Sequence, residues 1–546
     1  MPALFRLERL RAINAELLIL SASLFFSLVC NGRFWSALLN GHDWSNGRTW
    51  LFAAAMFCLL TALHCVLLGL VVTRWSAKPV LSALFILTAL VVYYMNRYAI
   101  FFDAGMVRNV LRTDIKEARE LITPSLAAYL LLFGVLPAVL VSRLRLQERS
   151  WRRAAAMRLG LLLGAVAIAA GCATLIFQKL SAVMRNQKEI RYLITPANYV
   201  VSLLRVLADD SANAHAAVRR TVAPDARLAS SWGGRGKPAL LVVVVGETAR
   251  AANWGLNGYA RQTTPELAAE QDVLNFQHVA SCGTNTEVSV PCMFSPFGRK
   301  DYDERKIRQH ESLLHVLERA GFKTLWRDNQ SGCKGVCDGL ELQRLDDSRD
   351  PVLCDGERCL DEVLLRDLQA EIGRSKGNLV LVLHQLGNHG PAYFRRYPAA
   401  FRRFAPTCDS PDLGKCTQQE IVNSYDNALL YTDHVLDQLI RQLKEQNTHD
   451  AAMIYVSDHG ESLGEKGFYL HGLPYAIAPR EQTEVPMVMW MSQGFASSFH
   501  LNRDCLRKRA AGPVSHDHLF HSILGMLDVE TRVRDASYDL TLGCHG

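Results

Sequence analysis

The sequence lacks the features that mark a nucleic-acid-binding chain. Its 546 residues carry a formal net charge of +7, which is modest for this length. No Lys/Arg-rich tract and no alternation of basic with aromatic residues occurs. We therefore exclude DNA and RNA as partners and assign the excess positive charge to loops beside a membrane.

A small-residue cleavage site is also missing after the first apolar segment, which argues against a cleaved signal peptide. Four more apolar segments follow in the first third of the chain, and a membrane span takes about 20 residues. The sequence predicts five spans, at Leu17–Cys30, Trp50–Val72, Val80–Met95, Ser125–Val141 and Leu159–Phe177. The first segment is short, but Trp35 and the residues before Leu17 can extend it.

Lys and Arg are concentrated in the segments that fall on one side of these five spans, which predicts that this side is cytoplasmic. The residues concerned are Arg6, Arg9, Arg11, Arg74, Lys78, Arg143, Arg145, Arg149, Arg152, Arg153 and Arg158. The loop at 96–123 also carries Lys and Arg, but its Asp and Glu residues offset them. An odd number of spans then places the C-terminal part outside, in a bacterial periplasm.

Cysteine usage supports an oxidising compartment for that part. The cysteines after the last span form four close sequence pairs, Cys282/Cys292, Cys333/Cys337, Cys354/Cys359 and Cys408/Cys416, and leave Cys505 and Cys544 over. This even number of paired cysteines predicts disulfides, as in a bacterial periplasm, but the sequence leaves their connectivity open, above all that of Cys505 and Cys544. The "CKGVC" stretch could instead be half of a zinc knuckle. No second half with suitable spacing is present, which favours disulfides.

After the predicted spans, the sequence pattern is typical of an α/β domain. We predict a membrane domain at 1–177, an amphipathic bridging segment and linker at 178–237, and a globular domain at 238–546. Runs of apolar residues recur at "ALLVVVVGE", "GNLVLVLHQLGNH" and "DAAMIYVSDHGES", with a helical pattern at Ile421–Leu443 between the last two. Buried strands alternating with helices indicate a mostly parallel sheet, whose ligands bind beyond the carboxyl ends of the strands.

Those strand ends carry residues that bind metals. Glu247 ends the first run, His384 and His389 the second, and Asp458 and His459 the third. Carboxylate oxygen with imidazole nitrogen suits zinc or manganese better than magnesium. Glu247, Asp458 and His459 make three zinc ligands, and a hydroxyl activated as a nucleophile completes the set. The candidates for it are Ser281, Thr284, Thr286 and Ser289.

Two further histidine groups have simpler interpretations. His384 lies within a strand run, so a role in the core or behind the metal ligands is equally consistent with the pattern. His516, His518 and His521 in "SHDHLFH" have helical spacing beside an apolar run, which indicates a helix facing the core rather than a metal site.

Four long motifs add a resemblance to a known family. "VVGETAR…NWGLNGYARQTTP", "SCGTNTEVSVPCMFS", "HQLGNHGPAY" and "SDHGESLGEKGFYLHGLPYAIAP" resemble the phosphoethanolamine transferases that modify lipid A, the family that includes the mobile colistin-resistance enzymes. The likeness covers essentially the whole chain. It implies a five-helix transmembrane domain and a periplasmic α/β/α sandwich of the alkaline-phosphatase (sulfatase-like) type, anchored in the bacterial inner membrane.

The resemblance also implies an activity. Family members transfer phosphoethanolamine from phosphatidylethanolamine to a lipid A phosphate through a phosphothreonine intermediate, which lowers the negative charge of the outer membrane and confers polymyxin resistance. The family's nucleophile falls on Thr286, and its zinc ligands fall on Glu247, Thr286, Asp458 and His459. One zinc ion is bound tightly, and a second can be present. A monomer acting on these two lipids among those of the inner membrane is expected.

The resemblance also implies substrate-binding residues, partly through two further stretches, "SGCKGVC" and "DAGMVRNVLRTDIKEA". His389 and His471 match the family's histidines beside the metal, which contact the phosphate or a second zinc, and we expect one of them to protonate the leaving group. The residues that match the family's binding residues for the donor are Lys334, Ser331, Asn109, Thr113 and Glu117. The last three are spaced by four, which predicts that they share one face of a helix.

The same fold also supports other activities. A phosphoglycerol transferase or a sulfatase-type hydrolase is the related class, but the Cys-x-Pro-x-Arg pattern of sulfatases is absent. Within the transferases, an inner-core sugar of lipopolysaccharide is the alternative acceptor. A membrane sensor or assembly factor with a degenerate site is the non-enzyme alternative, and it predicts the loss of at least one ligand, whereas all four are present.

Overall fold

The computed structural model describes residues 12–214 and 219–545. The chain divides into two compact units, one of residues 1–107 and 122–207 and the other of residues 108–121 and 208–546. Residues 108–121, which we call the strap, therefore belong with the C-terminal part of the chain. Arg6, Arg9 and Arg11, which the predicted orientation uses, lie outside the described residues, as do residues 215–218 of the predicted bridging segment.

The N-terminal part is helical, because long apolar segments satisfy their backbone polar groups within a helix. Its helices are α1 (Ala15–Val29), α2 (Gly32–Leu39), α3 (Gly47–Val71), α4 (Ala77–Tyr98), α5 (Ala104–Arg112), α6 (Ile115–Glu120), α7 (Pro124–Leu130), α8 (Leu136–Arg143), α9 (Trp151–Leu175), α10 (Phe177–Asn186) and α11 (Ala197–Ala214). A π-helical turn at Leu131–Val135 joins α7 to α8.

The predicted transmembrane class is confirmed, with one correction at the first span. Among the described residues, α3, α4, α7 with α8, and α9 are each long and apolar enough to cross a membrane. The first predicted span corresponds to a pair of helices, α1 and α2, that are long and apolar enough only together and are bent by 56°. Trp35 lies in α2, so it extends the segment through a bend and not as one straight helix. The side chain of Asn31 lies at the bend and donates to the carbonyls of Phe26 and Thr195, each at 2.8 Å.

The loops with many Arg and Lys residues lie at one end of this helical unit. Lys78 Nζ donates to the carbonyl of Ser142 at 2.9 Å, and Arg74 pairs with Glu148 at 2.6 Å. The loop between α3 and α4 therefore contacts the loop between α8 and α9. This proximity agrees with the prediction that both loops face the same side of the membrane.

The C-terminal part is an α/β domain. Its strands are β1 (Arg227–Leu228), β2 (Ala239–Gly246), β3 (Leu274–Ala280), β4 (Lys323–Asp328), β5 (Glu341–Arg344), β6 (Leu379–His384), β7 (Asp450–Ser457), β8 (Ser462–Leu463), β9 (Tyr469–Leu470), β10 (Glu484–Met491), β11 (Pro513–Ser515) and β12 (Val529–Glu530). Its helices after the strap are α12 (Pro265–Ala269), α13 (Thr286–Met293), α14 (Glu304–Arg308), α15 (Leu313–Arg319), α16 (Leu368–Arg374), α17 (Gln418–Glu445), α18 (Arg480–Thr483), α19 (Gln493–Ser498), α20 (Arg503–Ala510) and α21 (Asp517–Met526).

Eight strands form one sheet in the order β11-β3-β10-β7-β2-β6-β4-β5. All neighbours are parallel except β10, which is antiparallel to both β3 and β7. The three predicted strand runs are β2, β6 and β7, and every residue of these strands is buried. The predicted α/β class with a mostly parallel sheet is confirmed.

Five disulfides cross-link the loops of this domain. They join Cys282 to Cys292, Cys333 to Cys337, Cys354 to Cys359, Cys408 to Cys416 and Cys505 to Cys544. The four close sequence pairs are thus bonded within themselves, and the last bond gives the connectivity that the sequence left open. Because short disulfide loops restrict the unfolded chain, they stabilise segments that have little regular structure of their own.

Candidate active site

Two carboxylates meet at the carboxyl edge of the sheet because their strands are parallel and in register. Gly246, the last residue of β2, pairs with Ser457, the last residue of β7. The residues that follow, Glu247 and Asp458, are therefore neighbours, and both are fully buried. His459 comes next in the chain, with its Nε2 atom 3.3 Å from an oxygen of each carboxylate.

Glu247, Asp458 and His459 have the donor atoms and spacing of a metal site. One ligand atom from each lies within 4.8 Å of the others. Asp458 Oδ1 accepts hydrogen bonds from the backbone N–H groups of Thr248 and His459, whereas Oδ2 has no hydrogen-bond partner among the described residues although it is buried. Two buried carboxylates with an orphaned oxygen fit a bound cation, because burying like charges without one is costly.

The pKa shifts of these three groups are also consistent with a cation site. Burial and the charge of Glu247 raise the pKa of Asp458. Burial alone would also raise the pKa of Glu247, but the hydrogen bond and charge of His459 outweigh it and lower that pKa. Burial opposes protonation of His459, yet the two carboxylates raise its pKa to about 10. A proton on His459 therefore offsets the negative charge of the two carboxylates, as a bound cation at the same place would.

Thr286 is the first residue of α13, and its hydroxyl faces these groups. Its Oγ1 atom donates to Glu247 Oε2 at 3.0 Å and lies 3.3 Å from His459 Nε2. The helix begins here because the Asn285 side chain caps it by accepting the N–H of Val288. Of the hydroxyls that the sequence left open, those of Ser281, Thr284 and Ser289 bond to backbone groups elsewhere.

His389 lies beside this group and is paired with the strap. Its Nε2 atom is 3.1 Å from Glu117 Oε1, and its Nδ1 atom is buried without a hydrogen-bond partner among the described residues. Burial opposes the charged form, but Glu117 raises the pKa of His389 to about 9. The ring is therefore protonated at neutral pH, with one N–H directed at no protein acceptor.

His471 completes a row of three imidazoles. Its ring centroid lies 4.4 Å from that of His459 and 5.4 Å from that of His389. Glu461 Oε2 is 2.8 Å from His471 Nδ1, and Glu461 Oε1 accepts the hydroxyl of Tyr393 at 2.5 Å. Sequence reasoning missed Glu461, although it lies only three residues after Asp458 in "SDHGE".

Lys334 and Ser331 lie together on the loop after β4. Lys334 Nζ donates to the hydroxyl of Ser331 and lies 4.0 Å from Glu287, the residue that follows Thr286. The carboxylate of Glu287 also pairs with Arg308 at 2.5 Å and with Arg112 of the strap. The structure thus brings a cluster of three cations around one carboxylate beside Thr286, which the sequence did not predict.

The predicted single helix through Asn109, Thr113 and Glu117 is wrong. Asn109 lies in α5, Thr113 in the break between helices, and Glu117 in α6. The Thr113 hydroxyl bonds back to the carbonyl of Asn109 at 2.8 Å, and the Asp114 side chain caps α6. Thr and Asp favour caps over helix interiors because their side chains compete for backbone groups. Of the three, Glu117 contacts the row of imidazoles.

His384 and His516 lie behind the site rather than in it. His384 Nδ1 is 2.8 Å from Asp328 Oδ1 at the ends of β6 and β4, and both side chains are buried. His516 Nδ1 accepts the N–H of Cys282 at 3.0 Å, and its Nε2 donates to the carbonyl of Ser457 at 2.9 Å. His516 therefore ties the loop before Thr286 to the strand that carries Asp458.

Comparison with known proteins identifies the chain's relatives. The family model "Phosphoethanolamine transferase EptA/EptB" matches residues 60–211, and the family model "Sulfatase" matches residues 239–529. The phosphoethanolamine transferase EptA of Escherichia coli K12 is 36% identical over 543 residues, covering 99% of this chain and 98% of that protein. The Escherichia coli phosphatidylethanolamine transferase Mcr-1 is 36% identical, covering 88% of this chain and 90% of that protein.

A solved structure agrees over the whole length. The integral membrane lipooligosaccharide phosphoethanolamine transferase A of Neisseria meningitidis superposes with a TM-score of 0.94 at 37% identity, covering 98% of this chain and 99% of that one. The predicted localisation is confirmed: the chain is an integral membrane protein with its catalytic domain in the periplasm. With relatives this similar along its full length, the chain belongs to the phosphoethanolamine transferase family.

Proposed function

We propose that this protein transfers phosphoethanolamine from phosphatidylethanolamine to a phosphate of lipid A through a phosphothreonine intermediate on Thr286. The observation that carries the proposal is the Thr286 hydroxyl, 3.0 Å from Glu247 in a site that also holds Asp458 and His459. The names of the relatives support the substrates, because one is a phosphatidylethanolamine transferase and another a lipooligosaccharide phosphoethanolamine transferase.

Zinc is the metal that we propose for this site. Glu247, Asp458, His459 and the Thr286 oxygen would hold it, since carboxylate, imidazole and hydroxyl together suit zinc. When bound, zinc lowers the pKa of the Thr286 hydroxyl and offsets negative charge on the phosphoryl oxygens.

Metal analysis of the purified protein tests this assignment. We expect one zinc ion in the wild type, substoichiometric zinc in Asp458→Asn and Glu247→Gln, and an unchanged amount in the distant variant Asp409→Asn.

In the first step the Thr286 oxygen attacks the phosphorus of the donor. The Thr286 hydroxyl passes its proton to Glu247, to which it donates at 3.0 Å. A bond forms between Thr286 Oγ and phosphorus, and the bond from phosphorus to the glycerol oxygen breaks, releasing diacylglycerol. His389 supplies the proton to that glycerol oxygen, because it is charged at neutral pH and its Nδ1 atom has no hydrogen-bond partner among the described residues. Lys334 positions the phosphoethanolamine group by its charge, since phosphoryl transfer depends on positioning and electrostatics.

In the second step a phosphate oxygen of lipid A attacks the phosphothreonine. A bond forms between that oxygen and phosphorus while the bond between phosphorus and Thr286 Oγ breaks. The threonine regains its proton from Glu247, and His389 takes up the proton of the attacking phosphate. The added ethanolamine ammonium lowers the negative charge of the acceptor, so we propose that the activity reduces the sensitivity of cells to cationic polymyxins. Because both substrates are lipids, anchoring the domain beside the membrane raises their effective concentration at the site.

Intact-mass spectrometry tests the intermediate. Wild-type protein incubated with phosphatidylethanolamine is expected to gain one phosphoethanolamine group, and Thr286→Ala is expected to gain none. Thr284→Ala is the matched control, because its hydroxyl donates to the carbonyl of Leu473 instead of facing Glu247. An adduct that persists in Thr286→Ala would show that the nucleophile is another residue.

Mass spectra of lipopolysaccharide test the acceptor. Cells that express the protein should add phosphoethanolamine to lipid A and should grow at a higher polymyxin concentration than cells that express Thr286→Ala. Unmodified lipid A with a modified inner-core sugar would instead support the alternative acceptor.

A further inference from the structure

A cavity of about 340 Å³ opens between the strap and the turn at residues 356–358. The charged side chains that line it are Lys116, Arg119, Glu120, Glu357, Arg358 and Arg395. A cavity of this volume is large enough for a sugar phosphate or a similar polar group. Four cations against two carboxylates favour an anionic occupant.

At this cavity one buried carboxylate lies within ion-pair distance of two buried guanidinium groups. Glu120 pairs with Arg396 and also lies 3.5 Å from Arg358. The nearest other carboxylate, that of Asp114, is 3.9 Å from Arg358 and also caps α6. Arg358 thus meets its two carboxylates only at the long distances of 3.5 and 3.9 Å, which leaves this buried charge open to a closer anion.

Arg358 is also the residue with unused hydrogen-bonding groups. It is only 7% exposed, and its Nε and Nη2 atoms have no hydrogen-bond partner among the described residues. It lines this cavity and the adjoining cavity of about 350 Å³. Buried guanidinium N–H groups without acceptors are costly, and a carboxylate or phosphate accepts them well.

The remaining cations of the cavity differ in how far they are neutralised. Lys116 binds Asp346 and Asp347, and Arg395 binds Asp355 and Glu357. Arg119 is exposed and makes no ion pair within the described parts of the chain. Arg119 and Arg358 are therefore the two cations that an incoming anion would engage.

The cavity adjoins the proposed active site through two contacts. Glu117, which pairs with His389, precedes Glu120 by about one turn of α6, a rise of about 5 Å. Arg396 Nε donates to the carbonyl of His389 at 2.7 Å. A molecule whose reacting group lies at Thr286 and His389 can thus place a second group here.

We propose that this cavity is an anion subsite that binds a non-reacting phosphate or carboxylate of the acceptor. The inference rests on the proposed function. The donor, phosphatidylethanolamine, carries a single phosphate, and that group reacts at Thr286. A lipid A acceptor keeps a second phosphate and, when core sugars are attached, carboxylates. The subsite therefore acts in the second step and leaves the first unchanged.

Separate measurement of the two half-reactions tests the subsite. Arg119→Gln and Arg358→Gln full-length protein is incubated with phosphatidylethanolamine, and the rate of the mass adduct is recorded. Each adduct-bearing protein is then mixed with acceptor, and loss of the adduct is followed. Arg374→Gln, an exposed arginine of α16 that pairs with Glu371, is the matched control.

With bis-phosphorylated lipid A, we expect both variants to form the adduct at the wild-type rate and to transfer it about 10-fold more slowly, as the loss of a charge-assisted hydrogen bond predicts. Three acceptors identify the anion: bis-phosphorylated lipid A, mono-phosphorylated lipid A, and mono-phosphorylated lipid A with acidic core sugars. A defect confined to the first indicates the second phosphate, and a defect with the third indicates a carboxylate.

Equal transfer rates for wild type and both variants on all three acceptors would overturn the subsite. A wild type that forms no adduct would instead overturn the proposed function, and the subsite with it. If Arg358→Gln fails to fold, Arg119→Gln decides the question, because Arg119 is exposed and its loss leaves the packing intact.

Discussion

At the scale of single residues, His516 shows how a buried imidazole holds two catalytic segments together. Its two nitrogens bond to the N–H of Cys282 and the carbonyl of Ser457, so the tautomer with a proton on Nε2 is required. Burial lowers the pKa of His516 from 6.5 to about 4. A protonated ring would turn Nδ1 into a donor facing the Cys282 N–H, which explains why the fold favours the neutral form.

This residue makes folding stability depend on pH. Between pH 6.5 and about 4 the unfolded chain binds a proton at His516 that the folded chain does not, so stability falls as the pH falls through that window. The loss approaches about 3 kcal/mol near pH 4. We expect His516→Asn to be less stable at pH 7.5 but to lose less stability than the wild type on acidification.

Chemical unfolding of the detergent-solubilised protein between pH 7.5 and 4.5 measures the difference. The exposed residue His500 supplies the control, because His500→Asn should keep the wild-type slope. Parallel stability curves for wild type and His516→Asn would contradict the prediction.

The pair formed by His389 and Glu117 sets the pH range of the reaction. Glu117 raises the pKa of His389 to about 9, although burial opposes it. If His389 supplies the proton, turnover falls as the pH rises through about 9. Glu117→Gln removes the largest contribution that opposes burial and leaves only the charge of Glu247, so we expect this decline in turnover to move toward neutral pH.

The pH profile of kcat over pH 6 to 10 checks this expectation. Glu117→Asp keeps the negative charge and should retain most of the alkaline activity. A lower rate with an unshifted profile in Glu117→Gln would mean that Glu117 only binds substrate.

At the scale of elements, the strap and α13 are joined by buried charge. Glu287 is 3% exposed and binds Arg112 from the strap and Arg308 from α14, while Glu304 binds Arg308 at 3.1 Å. The helix that begins with Thr286 is thus held on both sides. This arrangement limits the rotation of α13 and fixes the direction of its first side chain.

Removing the shared carboxylate should destabilise this part of the domain. Glu287→Ala leaves Arg308 buried without its closer partner, and we expect a loss of about 3 kcal/mol in the free energy of unfolding. The exposed pair of Asp409 and Arg402 supplies the control, since Asp409→Ala should cost less than about 1 kcal/mol. Chemical unfolding curves of the two variants give the comparison, and equal losses would refute the role of Glu287.

The elements that could be predicted are those whose placement depends on local sequence. The apolar runs of β2 and β7 predict buried parallel strands, and parallel strands end at one edge, so Glu247 and Asp458 were predicted to meet. The choice of Thr286 over Thr284 and Ser289 came from the family resemblance, because chemistry alone does not distinguish four nearby hydroxyls.

The parts that could not be predicted depend on contacts between distant segments. The pairing of Glu287 with Arg112 joins residues 175 positions apart. The sequence does not reveal the break at Thr113 and Asp114, because the spacing of four in that segment also fits an unbroken helix, whereas the Asp114 side chain caps the start of a new helix, α6. His516 was predicted to lie in a helix facing the core, and its bond to Cys282 has no counterpart in sequence spacing.

At the scale of the whole molecule, the catalytic unit is discontinuous in the chain. The strap lies between α4 and α7 in sequence but clusters with residues 208–546. A fragment of residues 219–546 therefore lacks Glu117, Arg112 and Glu120, the strap residues that pair with His389, Glu287 and Arg396. We expect the fragment to melt at a lower temperature than the same unit in the full chain and to form the Thr286 adduct more slowly.

A synthetic peptide of residues 108–121 tests this dependence. Added to the fragment, it should raise the melting temperature and the rate of adduct formation, because it restores the buried ion pairs. The same peptide with Glu117→Gln and Glu120→Gln is the control and should have a smaller effect. No response to either peptide would mean that the fragment is complete without the strap.

Because the catalytic unit is discontinuous in the chain, completion of the active site depends on how the chain is inserted into the membrane. The strap leaves the ribosome roughly a hundred residues before the first strand of the large sheet, and it reaches its partners only if it and the C-terminal domain are delivered to the same side of the membrane. A chain inserted with this loop on the wrong side keeps Glu247, Asp458, His459 and Thr286, yet leaves Arg396, His389 and Glu287 without the strap. We therefore expect that a chain with the wrong topology lacks a complete active site.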